Sequence, residues 1–133
     1  MASRFDKLSS SNSQRFSDVL ESHWAYKFID SAATKGWVGG YPDGTFEPDK
    51  NITRAEVVTI TNRMLNRKAD EGFVIENKVL LLDFKDLRES HWAYFNIMEA
   101  THGHDFERLA NGIDEDWIKL NGLEFRFAVV GYN

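Results

Sequence analysis

The residue of this sequence that is the strongest candidate for binding a ligand is Arg54, within the segment Thr-Arg-Ala-Glu at positions 53–56. Thr53 and Glu56 have the spacing of a capping box, which predicts that a helix begins at Thr53. The first turn of that helix disfavours a cation, because the positive end of the helix dipole lies there. A guanidinium beside free backbone N–H groups can hold a carboxylate or a phosphate. The alternative is that Arg54 covers the surface or pairs with Asp43 or Asp49.

A tight turn is predicted just before this helix, in the segment Gly-Gly-Tyr-Pro-Asp-Gly at positions 39–44. Proline presets φ for the second turn position, and Asp43 can bond its own backbone. Gly44 tolerates the positive φ that often follows. The chain is therefore expected to reverse direction here.

Two helices are predicted to carry these features. An apolar pattern with helical spacing follows His23, with Ser22 as the predicted N-cap and Gly36 as the stop. The second helix is predicted from Thr53 to about Asn66. Its apolar face is predicted to consist of Ala55, Val57, Val58, Ile60, Met64 and Leu65.

The sequence contains an internal repeat. Residues 84–94 (FKDLRESHWAY) restate residues 16–26 (FSDVLESHWAY). The second copy is incomplete, because it lacks both the Tyr-Pro-Asp-Gly turn and the Thr-Arg-Ala-Glu helix start. The first copy alone carries the whole candidate site.

The repeat divides the chain into four segments. Residues 1–15 are polar and are predicted to be a disordered tail or linker. Residues 16–67 form the complete copy, 68–83 a connection, and 84–133 the partial copy with a C-terminal extension. The apolar run at 79–82 is predicted to pack as a strap between the copies. The alternating residues 123–130 are interpreted as a short strand or as a tail laid along the helices.

Composition narrows the class of function. A net charge of -5 without a Lys/Arg cluster makes nucleic acid an unlikely partner. The hydrophobic content of 42% can support a globular core, and no apolar run is long enough to span a membrane. The absence of cysteine fits an exported bacterial protein without disulfides, although it excludes no compartment.

The motifs of the first copy resemble those of a bacterial S-layer homology (SLH) repeat. They are Phe-Ser-Asp-Val at 16–19, His-Trp-Ala at 23–25, Gly-Tyr-Pro-Asp-Gly-Thr-Phe at 40–46 and Ile-Thr-Arg-Ala-Glu at 52–56, in the order of that family. The resemblance implies an all-α, mainly helical fold, in which helix-loop-helix repeats pack as a small pseudo-symmetric bundle. It also implies a protein at the bacterial cell surface, anchored noncovalently to secondary cell-wall polysaccharide.

The resemblance further implies an acidic ligand, often a pyruvate ketal on an amino sugar. The candidate binding residues are Arg54, Gly40, Tyr41, Asp43, Thr53, Trp92 and Trp24. Arg54 would pair with the sugar's carboxylate, and the tryptophans would stack on sugar faces. The alternative for both tryptophans is a lid over the core. Asp18 and Asp86 are expected to order their loops rather than to contact the ligand.

The chain departs from the family in having one complete repeat and one partial repeat, where three are usual. An apolar edge would then stay uncovered unless a preceding repeat or a second copy of the chain completes the bundle. Both alternatives stay open. If copies of the chain complete the bundle, a mass measurement in solution would reveal homo-oligomers, whereas a monomer at high concentration would contradict this association.

Other functions fit the sequence less well. The loop fails the EF-hand template, since Gly39 and Lys50 fall at positions that need carboxylates. His102 and His104 have His-x-His spacing, but solvated histidines are the favoured interpretation and no metal or cofactor is predicted. Scattered carboxylates suggest no catalytic pair, so no enzyme activity is expected. The main alternative to glycan anchoring is a protein-interaction or self-assembly module.

Overall fold

The computed structural model describes residues 14–121, and these fall into two compact units whose boundary along the chain lies between Thr53 and Arg54. The first unit contains helix α1 (Tyr26–Thr34). The second contains α2 (Arg54–Met64), α3 (Glu71–Glu76), a 3-10 turn (Lys78–Leu80), α4 (Tyr94–Thr101), and strands β1 (His104–Arg108) and β2 (Glu115–Leu120). Of the predicted tail at 1–15, residues 1–13 lie outside the described residues, whereas Arg15 Nε lies 3.1 Å from Oδ1 of the buried Asp30. The predicted strand or tail at 123–130 also lies outside the described residues.

The first unit has a small core built on α1. Phe16, Val19, Ala25 and Ile29 are buried together, and Phe46 packs against them. Helix α1 ends at Thr34, and the predicted stop residue Gly36 follows its C-cap Lys35 with φ of 74°. Trp37 and Gly36 donate backbone N–H bonds to Ala32 and Ala33. This is a Schellman ending, in which a residue with positive φ satisfies the last carbonyl groups of the helix.

The predicted N-cap of α1 is wrong. Ala25, not Ser22, occupies that position, and it provides no side-chain cap. The turn before it is instead closed by an imidazole, because His23 Nδ1 accepts the Ala25 N–H at 3.1 Å. The imidazole of His23 thus accepts a backbone N–H at the start of α1, where the sequence analysis predicted the hydroxyl of Ser22 as the acceptor.

In the second unit, α2 packs on α4 through polar side chains. Thr59 and Asn62 are its buried residues, and Asn62 Nδ2 donates to the main-chain oxygen of Asn96 at 2.9 Å. The predicted apolar face is therefore wrong at its edges, since Val57 and Leu65 are 44% and 61% exposed. A buried amide can replace apolar contacts here because both of its partner atoms lie on α4.

The core of the second unit joins the helices to the strands. Its buried residues are Ala69, Val74, Leu81, Tyr94, Met98, Trp117 and Leu120. The run at 79–82 contributes Leu81 to this core, whereas Val79 is 94% exposed. Asp70 caps α3 by accepting the Phe73 N–H, and its second oxygen accepts the Trp117 N–H of β2.

Strands β1 and β2 form an antiparallel hairpin that the sequence analysis did not predict. Phe106 pairs with Trp117 and Arg108 with Glu115, and the register shifts between Asp105 and Phe106. Alternate residues of β2 face the core from Glu115 to Trp117. The connecting turn contains Gly112 with φ of 73°. No described helix has the length and apolar character needed to cross a membrane.

The two sequence copies also have matching local structure. The N–H of Val19 donates to Phe16, and that of Leu87 donates to Phe84. His91 Nδ1 accepts the Ala93 N–H at 3.1 Å, as His23 does for Ala25. The repeat read from the sequence is therefore a structural repeat as well, at least over the segment that leads into each helix.

Candidate functional site

Arg54 is the first residue of α2, and its side chain extends into solvent. The side chain is 95% exposed, and Nη2 lies 3.6 Å from Oδ2 of Asp86. Asp86 is itself 79% exposed, so this ion pair is open to water on both sides. Pairs of this kind are weak, because solvent screens the attraction and the long side chain loses conformational freedom. The guanidinium is therefore available to an external anion.

The first turn of α2 provides the surroundings of this guanidinium. Thr53 precedes the helix directly, in the N-cap position that the sequence predicted, and Glu56 lies in the first turn. Backbone N–H groups at a helix start have no partner within the helix. Together with Arg54 they have the character of a site for a carboxylate.

The turn at 40–45 belongs to the first unit and is tightly bonded. Gly44 N–H donates to Tyr41, and Tyr41 N–H donates to Thr45, at 3.0 and 2.8 Å. Asp43 Oδ1 accepts from both the N–H and the hydroxyl of Thr45. These bonds lower the pKa of Asp43, the hydroxyl bond being the larger cause. The predicted reversal is confirmed, and Asp43 supports it through its own side chain.

Gly40 and Tyr41 differ in what they offer a ligand. Gly40 has φ of 70°, and a Cβ there would lie 2.4 Å from the Phe16 ring, so no larger residue fits. Tyr41 is half-buried, and Lys50 Nζ lies 4.6 Å from the centre of its ring. Gly40 therefore shapes the loop, while Tyr41 presents an aromatic ring with a cation above it.

Asp18 orders the loop that follows the turn. Its two carboxylate oxygens accept the N–H groups of Phe46 and Glu47, at 2.8 and 2.7 Å. The bond from Phe46 is the largest cause of a lowered pKa for Asp18, and the bond from Glu47 adds to it. The expectation that Asp18 orders its loop is confirmed.

Asp18→Asn is expected to destabilise the first unit at neutral pH and to weaken its dependence on acid. A carboxyl group with a lowered pKa stabilises the fold above its unfolded value, here 3.8, and loses this contribution as the pH falls through the folded value. Urea unfolding at pH 7 and pH 3 measures the effect. Asp86→Asn is the matched control, and equal pH dependence in Asp18→Asn and the wild type would contradict the prediction.

Both candidate tryptophans are exposed. Trp24 is 82% and Trp92 is 63% exposed. Each ring stacks on the histidine before it, with centroids 5.9 Å apart for His23 and 5.7 Å for His91. The alternative of a lid over the core is therefore wrong for both. An exposed indole held against an imidazole is a flat apolar surface suited to a sugar face.

A buried charged cluster in the second unit was missed by the sequence analysis. Arg67 lies between two buried carboxylates, with Nε 2.6 Å from Glu115 Oε1 and Nη2 2.8 Å from Glu99 Oε1. His104 Nε2 lies 3.2 Å from Glu115 Oε2, and the His104 ring stacks on Trp117 at 3.7 Å. The cluster joins the hairpin to the end of α2 and to α4.

The buried location of this cluster affects the pKa of Glu99 and leaves some polar atoms without a hydrogen bond. Burial is the largest cause of a raised pKa for Glu99, and Glu115 adds to the shift, while His104 and Arg67 oppose it. Among the described residues, the buried atoms Glu99 Oε2 and Trp117 Nε1 make no hydrogen bond of good geometry, although His104 Nε2 lies 3.5 Å from Glu99 Oε2. The indole is nonetheless close enough to favour the charged form of Glu99.

The same cluster shows that the predicted solvated histidines are wrong. His102 is 7% exposed, and its Nε2 accepts the Leu82 N–H at 2.9 Å. Glu99, His104 and Glu115 bring three possible metal-ligand atoms within 4.8 Å of one another. However, Nη2 of Arg67 lies 3.0 Å from His104 Nε2. Arg67 contacts both carboxylates, and Arg108 Nη2 lies 3.5 Å from Glu115 Oε1. Because two guanidinium groups already offset the two carboxylates, we assign the cluster a structural role.

Comparison with known proteins bears on the identity of the chain. The sequence model of the family described as the S-layer homology domain matches residues 15–58. These residues include Arg54, the turn at 40–45 and Asp18. No solved structure matches the chain significantly.

Several curated relatives are similar to the chain. A cellulosome-anchoring protein of Acetivibrio thermocellus is 40% identical over 93 residues, which are 70% of this chain and 19% of that protein. Outer membrane protein SlpA of Thermus thermophilus is 39% identical over 116 residues, 87% of this chain and 11% of that protein. S-layer protein EA1 of Bacillus anthracis is 41% identical over 57 residues, 43% of this chain and 6% of that protein.

The chain thus spans a fifth or less of the length of these three relatives. The names of these relatives describe anchoring, outer membrane and S-layer proteins, all of which are proteins of the bacterial cell surface. The similarity confirms the predicted location of the chain, the bacterial cell surface. Since the matched segment also contains the motifs on which the sequence prediction rests, residues 15–58 belong to the S-layer homology family.

Proposed function

We propose that the chain anchors a bacterial surface protein to the cell wall noncovalently, by binding an acidic, pyruvylated secondary cell-wall polysaccharide. The observation that carries the proposal is the exposed guanidinium of Arg54 at the start of α2, with no ion-pair partner among the described residues except the loosely held Asp86. The ligand's carboxylate would take the place of Asp86 and would also lie at the positive end of the α2 dipole.

The exposed tryptophans support a sugar ligand rather than a simple anion. Trp92 belongs to the same unit as Arg54 and lies on the segment that also carries Asp86. Sugars have apolar faces that stack on such rings, whereas inorganic phosphate has none. In the second unit we therefore assign Arg54 to the acid, together with Thr53, the residue before it, and Trp92 to a sugar ring. In the first unit, taken by itself, Trp24 and Tyr41 are assigned as aromatic surfaces for a sugar, while Gly40 and Asp43 hold the loop of Tyr41.

Calorimetry with a pyruvylated amino-sugar fragment tests the proposal. The same sugar without its acid is the matched ligand control. We expect measurable binding only for the acidic sugar, because the guanidinium gains no charged partner from the neutral one. Equal affinity for the two sugars would contradict the assignment of the acid to Arg54.

A second candidate function is a protein-interaction or self-assembly module without direct glycan binding. Exposed apolar side chains favour it, among them Val79 at 94% and Leu65 at 61%. If the chain is a self-assembly module, further copies of the chain complete the pseudo-symmetric bundle, and Arg54 has no ligand. Neither candidate function assigns catalysis or a cofactor to the chain.

A further inference from the structure

Asp86 is the residue of the second copy that corresponds to Asp18 of the first, and the two carboxylates have different partners. Asp18 accepts the N–H groups of Phe46 and Glu47. The second copy has no counterpart of that loop. The carboxylate of Asp86 faces Arg54 instead, with Oδ2 3.6 Å from Nη2. Asp86 thus contacts Arg54 of the candidate site, whereas the sequence analysis predicted that it would order its own loop.

The ion pair between Asp86 and Arg54 is weak and can separate easily. Both side chains are mostly in water, and the distance of 3.6 Å between Arg54 Nη2 and Asp86 Oδ2 is longer than a hydrogen bond. No other ion pair holds either residue within the part of the chain that the structure describes. Separating the two therefore leaves no buried charge and disturbs no packing.

We propose that Asp86 is an internal competitor, whose carboxylate occupies the guanidinium of Arg54 until the acid of a ligand displaces it. This inference rests on the proposed function and assigns the regulation of its site. The ligand must break the pair before it can bind, so Asp86 lowers the affinity for acidic ligands. A neutral sugar does not compete for the guanidinium, so Asp86 has no such effect on it.

The test compares Asp86→Asn with Asp83→Asn by calorimetry on the pyruvylated amino sugar. Asp83 is exposed and forms no ion pair within the described segment, so its replacement changes the net charge equally without freeing Arg54. We expect Asp86→Asn to tighten binding about two- to fivefold relative to Asp83→Asn, the range for an exposed pair. The gain should vanish in an Arg54→Ala background.

Two results would overturn the inference. Equal affinity of Asp86→Asn and Asp83→Asn would show that the pair does not compete with the ligand. Weaker binding by Asp86→Asn would show that Asp86 contacts the ligand itself. The neutral sugar gives a further control, because a gain for that sugar as well would exclude competition between acids.

The inference can also be separated from the proposed function. If the wild type and Asp86→Asn both fail to bind the pyruvylated sugar, the proposed function fails. Titration with pyruvate, followed through the Arg54 Nε–H signal by NMR, then tests the competition directly. A larger response in Asp86→Asn than in Asp83→Asn supports it, and equal responses overturn it.

Discussion

Arg54→Ala is expected to reduce the binding of purified cell-wall polysaccharide at least about tenfold while the fold stays intact. A hydrogen bond to a charged group contributes about 1.5 to 3 kcal/mol, and each 1.4 kcal/mol is a factor of ten in affinity. The side chain is 95% exposed and packs on nothing, so the helix should keep its stability. Pull-down with the polysaccharide measures binding, and circular dichroism checks the fold.

Two variants sharpen this test. Arg88→Ala removes an exposed cation from the same unit and should leave binding nearly unchanged. Arg54→Lys keeps the charge but loses the planar fork, so we expect intermediate binding. Full binding by Arg54→Ala would remove the basis of the glycan proposal and would favour the self-assembly module.

Arg67→Ala is expected to destabilise the second unit by about 3 to 5 kcal/mol, the usual cost of removing one partner from a buried ion pair. The change removes the guanidinium between Glu99 and Glu115, whose side chains are only 2% and 0% exposed. His104 and the more distant Arg108 remain beside them, but Glu99 loses its 2.8 Å ion pair. Because small domains are stable by about 5 to 15 kcal/mol in total, much of the fold's stability depends on this residue. Urea unfolding monitored by circular dichroism measures the loss.

The neighbouring residue offers a matched control for this second variant. Lys68 pairs with Asp114 at 2.8 Å, but their side chains are 56% and 35% exposed. Lys68→Ala should therefore cost about 0 to 1 kcal/mol. Arg67→Ala would contradict the structural assignment of the cluster if it unfolded at the same urea concentration as Lys68→Ala.

Local signals predicted the parts of the fold that depend on a few consecutive residues. The turn at 41–44, the end of α1 before Gly36 and the start of α2 after Thr53 all follow from backbone preferences. The repeat was visible because eight of the eleven residues in 16–26 recur in 84–94. Arg54 stood out because its charge opposes the helix dipole.

The parts that were missed depend on distant residues. Arg67, Glu99 and Glu115 each resemble solvated surface residues in the sequence, and only the fold brings them together. The hairpin had a local signal, since Asn111 and Gly112 form a turn dipeptide. The apolar residues of its strands are few, and charged residues between them hid the alternation. Similarly, nothing in the sequence near Asp86 indicates that it reaches Arg54.

The placement of the tryptophans makes the chain its own optical reporter. Trp24 and Trp92 project into water, whereas Trp117 is 5% exposed in the core of the second unit. An indole in water emits at longer wavelength than one in apolar surroundings. The fourth tryptophan, Trp37, is half-buried in the first unit. In a Trp37→Phe variant, loss of the blue part of the emission spectrum should therefore signal unfolding around the hairpin. Quenching confined to the red part should signal a molecule arriving at the exposed rings.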